Sequence, residues 1–77
     1  MPSSRTKAIL KVLRRGREEK VASALLRIFG ASSLDECEAT YDLVGAAERA
    51  TLDEAVERVA AKAGAAFWLG VENELLR

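Results

Sequence analysis

Histidine is absent from the 77 residues, cysteine occurs once, proline once, and the aromatic side chains are one Trp, one Tyr and two Phe. Each scarcity removes a class of chemistry. Without histidine there is no Ser-His-Asp triad, no Cys-His pair and no imidazole acid or base. Cys37 has no second cysteine for an intramolecular disulfide and no histidine with which to build a structural zinc set. No apolar run approaches the roughly 20 residues that a membrane-spanning helix requires. No glycine-rich loop follows a strand pattern, and no calcium-loop pattern of alternating oxygen ligands occurs. The expectation is a non-enzymatic protein with no catalytic, cofactor-binding or metal-binding residues and no membrane span. A lone cysteine fits a reducing compartment, which makes the cytoplasm the expected location. The first 17 residues are free of acidic groups and rich in Arg, Lys and Ser, so an organellar transit segment is the alternative reading of that stretch.

Alanine, leucine, valine and glutamate dominate what is present, a composition that favours helix. A chain of this length forms one domain and buries only about 60% of the surface its unfolded form exposes. With disulfides and zinc excluded, self-association or a bound partner is the remaining source of added stability. The formal net charge is zero, yet the charges are segregated. Residues 1 to 27 hold eight basic side chains (Arg5, Lys7, Lys11, Arg14, Arg15, Arg17, Lys20, Arg27) against Glu18 and Glu19. Residues 28 to 77 hold ten acidic ones against Arg49, Arg58, Lys62 and Arg77. This split predicts two surfaces with opposite preferences in partner, or a pair of surfaces that attract each other between protomers.

The periodicity predicts a single all-α domain over 1–77, a bundle of four or five short helices with a basic helical segment over 4–29 and acidic helices over 34–76. Ile9, Leu10, Val12 and Leu13 share one side of a first helix, with Lys7, Lys11, Arg14 and Arg15 on the other. Beyond Gly16 the stripe rotates to Val21, Ala24, Leu25 and Ile28, so Gly16 is expected to kink or break the helix and Gly30 to cap the next one. Ser33-Leu34-Asp35-Glu36 has the form of a capping box and predicts a third helix with the stripe Leu34, Cys37, Tyr41 and Val44. Thr51-Leu52-Asp53-Glu54 repeats that form and predicts the start of a fourth, with Leu52, Ala55, Val56, Val59, Ala60 and Ala63 inward. In a last helix, Phe67, Trp68, Val71 and Leu75 claim one side while Leu69 and Leu76 fall on nearly the opposite one. Leu26 and Leu43 are also left off the main stripes.

Three sets of side chains are candidate sites. Lys7, Lys11, Arg14 and Arg15 form a basic face that tracks nucleic-acid phosphates or an anionic membrane surface, or is merely solvated; no aromatic is interleaved for base stacking. Asp35, Glu38 and Asp42 share a helix side, as do Asp53 and Glu57; such carboxylates can hold a divalent cation or raise one another's pKa, but the favoured readings are a solvated acidic face and a docking surface for a basic protein. Leu69 and Leu76, with Trp68 beside them, mark a homodimer or partner interface, because one small core covers one side of the last helix and not both.

Leu13-Arg14-Arg15 near the start, Ser33-x-Asp35-Glu36 before the central helix, and an ungapped stretch from Ala46-Ala47-Glu48 to Phe67-Trp68 together resemble the Hha/YmoA family, small helical modulators that bind the nucleoid protein H-NS. The resemblance implies that Glu48 contacts a basic patch on such a protein and that Trp68 is a packing anchor. The favoured reading is a protein-binding regulator or inhibitor of a larger bacterial complex, with an H-NS-type nucleoid co-regulator as one form. The alternatives are a phage or mobile-element inhibitor of the anti-CRISPR type, and nucleic-acid binding through the basic helix.

Overall fold

Gly16 and Gly30 both adopt positive φ, 86° and 64°, a region open to glycine and costly for residues with a Cβ. They separate the first three of five helices in the computed structural model, which describes residues 5–77: α1 (Arg5–Leu13), α2 (Glu19–Phe29), α3 (Leu34–Leu43), α4 (Ala46–Ala60) and α5 (Ala65–Leu76). No strand occurs among the described residues, and the architecture is an all-α bundle. The expected start of the basic segment at residue 4 lies outside the described residues. After α2, the Gly30 N–H donates to the Arg27 carbonyl and the Ala31 N–H to the Leu26 carbonyl, the paired bonds of a Schellman cap. At α3, the Ser33 hydroxyl accepts from the Glu36 N–H, as the sequence predicts. The Glu36 carboxylate accepts from the hydroxyl of Ser32.

The first helix has the two sides its periodicity predicts, with Lys11 exposed and Lys7 partly exposed opposite the buried Ile9, Leu10, Val12 and Leu13. Thr6, Ala8, Ile9, Leu10, Val12 and Leu13 are all buried, and α1 packs against each of the other four helices, most extensively α5. The buried side is wider than the stripe of Ile9, Leu10, Val12 and Leu13: Ala8 extends it at one edge and Thr6 is buried within it. Small and hydroxyl side chains carry little hydrophobic signal, yet they let neighbouring helices approach from several directions. Arg5 lies near Trp68 and Arg15 near Glu74, so α1 and α5 run in the same general sense. They meet closely at Gly70, where a Cβ would lie 3.3 Å from a methyl of Val12.

The start of the fourth helix requires a correction. Thr51 does not cap it; α4 begins at Ala46, after Gly45 in extended conformation, and Thr51 sits within it, its hydroxyl donating to the Ala47 carbonyl one turn back. Ala46, Ala47, Glu48, Arg49 and Ala50 include strong helix formers and no breaker, so propagation through Thr51 is favoured over a fresh nucleus. Arg49 adds a tertiary reason: its guanidinium donates to the carbonyls of Tyr41 and Asp42, closing the C-terminal turn of α3 and fixing the corner between the two helices.

The interior is formed by Ile9, Leu10 and Val12 of α1, Leu25 of α2, Cys37 of α3, Val56 of α4, and Phe67 and Val71 of α5. Leu26, off the main stripe in the sequence, is half-buried against this core. Burial pushes the Cys37 thiol above its ordinary pKa, as expected of a structural cysteine rather than a nucleophile.

Candidate interaction surfaces

About half of the segregated charge is paired inside the chain: four of the eight basic side chains of residues 1 to 27 meet five of the ten acidic ones of residues 28 to 77. Arg5 meets Glu57, Lys7 meets Asp42 at 2.6 Å, Arg14 meets both Asp35 and Glu38, and Arg15 meets Glu74. The basic helix is thus surrounded by the carboxylates of α3, α4 and α5, and the attraction expected between surfaces of different protomers operates between helices of one chain. Hydrogen bonding to Asp42 raises the Lys7 pKa. The Arg15 hydrogen bond holds the Glu74 carboxyl below the usual carboxylate range, and Arg77 adds to this from 3.5 Å. Lys11 differs from its three companions in making no ion pair among the described residues; it is exposed, as Arg14 and Arg15 are.

Asp53 is turned inward, away from the acidic surface on which the sequence places it with Glu57. Its Oδ1 accepts from the Thr6 hydroxyl at 2.6 Å and the Tyr41 hydroxyl at 2.7 Å, joining α1, α3 and α4 through one oxygen. Glu18, in the left-handed region at φ 55°, sends its carboxylate to the backbone N–H of Gly64, the N-cap of α5, where a negative charge is also favoured by the helix dipole. Among the described residues no buried side-chain polar atom lacks a hydrogen-bond partner. No group of three or more His, Cys, Asp or Glu side chains among them is placed to hold a metal ion. No helix among them is long and apolar enough to cross a membrane. Features available for recognition therefore lie on the outside.

Two outer features stand out. Leu69 and Leu76 on α5 are 62% and 84% exposed, with exposed Glu72 and Asn73 between them on the same side, as the helical spacing predicts. Trp68 is half-buried beside this face, its ring edge-on to Phe67 at 5.3 Å and the Arg5 guanidinium 4.8 Å from its centroid. It packs against the core. Leu43, at the end of α3, is 85% exposed, but α3 and α5 are each packed on α1 rather than on one another.

The second feature is a groove of about 460 Å³ between α2 and α4. Its floor is Val21, Ala24 and Val59, and its rim carries Lys20, Arg58 and Lys62, all exposed and without an ion pair among the described residues. Glu18 stands at one end with its carboxylate engaged by Gly64. The sequence reading passed over this set. Arg58, in the last turn of α4, and Lys62, in the turn that follows the helix, are close in sequence and so readable as neighbours, but only the packing of α2 on α4 adds Lys20 to them. A second, smaller groove of about 300 Å³ runs past Phe29, Val44 and Leu52, with Glu48 at its edge.

The expected partner-binding residues thus fall into separate places. Asp35, Glu38 and Asp42 lie along α3, facing Arg14 and Lys7; Glu48 is exposed in the first turn of α4; Trp68, Leu69 and Leu76 belong to α5. Compared with protein-family models, with curated proteins and with solved structures, the chain matches none.

Proposed function

We propose that this chain is a non-enzymatic protein-binding regulator or inhibitor of a larger complex, and that it docks through the outer face of α5. The observation that carries the reading is the exposure of Leu69 and Leu76 on one side of a helix whose other side is already packed. Leaving a leucine in water forgoes burial worth roughly 1.5 to 3 kcal/mol. A covering chain recovers that energy for both at once. The full pairing of buried polar atoms supports the same reading, because the interior offers a ligand no polar group to engage.

Nucleic-acid binding through Lys7, Lys11, Arg14 and Arg15 draws less support, since three of these cations already face carboxylates and a phosphate would have to displace them. The acidic set Asp35, Glu38 and Asp42 is weaker as a docking surface for the same reason. Glu48 retains its exposure and has no ion pair among the described residues, which favours, as a second reading, the basic protein contact that the family resemblance implies.

The test replaces Leu69 and Leu76 together with Ser. Helix content by circular dichroism is expected to persist, while the mass in light scattering falls toward monomer or capture of a native-host partner is lost. Unchanged mass together with unchanged capture would refute the α5 interface.

A further inference from the structure

We infer that the groove between α2 and α4 receives the outer face of α5 from a second copy of this chain; the inference rests on the α5 docking surface proposed above and names what that surface meets. The two features are complementary in kind. One is a helix face with two exposed leucines and an exposed glutamate, Glu72, that makes no ion pair among the described residues. The other has an apolar floor of Val21, Ala24 and Val59 under three cations that make none either. Neither is accounted for by the packing of a single chain, and each supplies what the other lacks.

The dimensions agree. Lys20 to Ala24 on α2 spans four residues, about 6 Å of helix rise, as does the interval from Glu72 to Leu76 on α5, while Arg58 lies in the last turn of α4 and Lys62 in the turn just beyond it. In this contact Leu76 rests on the valine and alanine floor, Glu72 lies among Lys20, Arg58 and Lys62, and Leu69 packs at the rim. The joined surfaces differ, so one contact leaves a free groove and a free α5 at its two ends; reciprocal exchange closes a dimer, and otherwise the contact repeats into a ring or, where its rotation does not close, an open filament. Because the charges lie at the rim of an open groove, the association is expected to weaken as salt rises.

Light scattering of the full chain over a range of concentrations tests this with two charge variants, each checked for helix content by circular dichroism. Wild type is expected to show at least a dimer mass that falls as salt is added. The K20E/R58E/K62E variant and the E72K variant should each be monomeric alone, and an equimolar mixture of the two should regain mass above monomer, because the reversed groove then meets a reversed α5. Should the reversed groove fail to fold, K20Q/R58Q/K62Q takes its place and must be monomeric as well. Wild type that stays monomeric up to millimolar concentration overturns the inference and leaves a different protein as the occupant of the α5 face. An assembly that L69S/L76S dissolves but groove reversal leaves intact also overturns it, while the α5 reading stands.

Discussion

At the scale of single residues, Asp53 shows how differently two carboxylates of one chain contribute. Its Oδ1 accepts from the Thr6 and Tyr41 hydroxyls, and the Thr6 side chain is almost wholly buried, so the bond between them has no water to replace it. Asp35, by contrast, meets Arg14 at the surface with most of its side chain in solvent. Removing a partner from a buried hydroxyl costs about 1 to 3 kcal/mol, whereas an exposed ion pair is worth roughly 0 to 1 kcal/mol. We therefore expect Asp53→Ala to lower the unfolding free energy by about 1 to 3 kcal/mol and Asp35→Ala by under about 1 kcal/mol, measured by urea denaturation. Equal losses for the two variants would mean that the Asp53 node does not join the three helices as described.

Among the elements, α1 and α5 depend on each other most closely, and Gly70 is where they meet. A glycine inside a helix costs about 1 kcal/mol relative to alanine, so its place in the middle of α5 requires a reason. The reason is the Val12 side chain, already within contact distance of where a Cβ would be. A side chain larger than methyl there has to push α1 and α5 apart, and because α1 touches every other helix the displacement spreads through the core. Gly70→Leu should destabilise by about 1 to 3 kcal/mol despite its better helix propensity, read as a lower thermal midpoint. A midpoint at or above wild type would show that the crossing has room to spare. The corner between α3 and α4 is held differently, by the bonds from Arg49 to the last carbonyls of α3, and this tertiary bond accompanies a helix start five residues before Thr51.

The whole molecule is organised as a basic central helix inside a ring of carboxylates, which gives its stability a definite dependence on pH. Glu74 is the clearest case: its carboxyl titrates below the usual range, chiefly because Arg15 donates to it. A carboxyl with a depressed folded-state pKa stabilises fully above its unfolded pKa, and this contribution is lost as pH falls through the folded one. Wild type should accordingly melt higher than Glu74→Gln at neutral pH, with the difference closing as pH drops below the ordinary carboxylate range. A difference that is constant with pH would assign the effect of the substitution to packing rather than charge. The same internal pairing bears on recognition, because it leaves Lys20, Arg58 and Lys62 at the α2 and α4 groove among the cations still available to a partner.

Local chemistry made much of this protein legible before any tertiary contact was known. The helical class, the breaks at Gly16 and Gly30, the Ser33 cap and the outward placement of Leu69 and Leu76 all follow from backbone conformation and from which residues recur every three or four positions. The start of α4 was misread because Thr51-x-x-Glu54 has the composition of a cap, while the choice between capping and continuing depends on the helix formers before it and on Arg49 reaching back to α3. Which charges meet is settled by the packing of the helices. Side chains such as Arg15 and Glu74, far apart in sequence, become partners only when α1 is enclosed by the other helices, and Lys20 joins Arg58 and Lys62 only when α2 packs on α4. The reason is physical: hydrophobic periodicity is a property of one helix, whereas the pairing of charges depends on the relative placement of two.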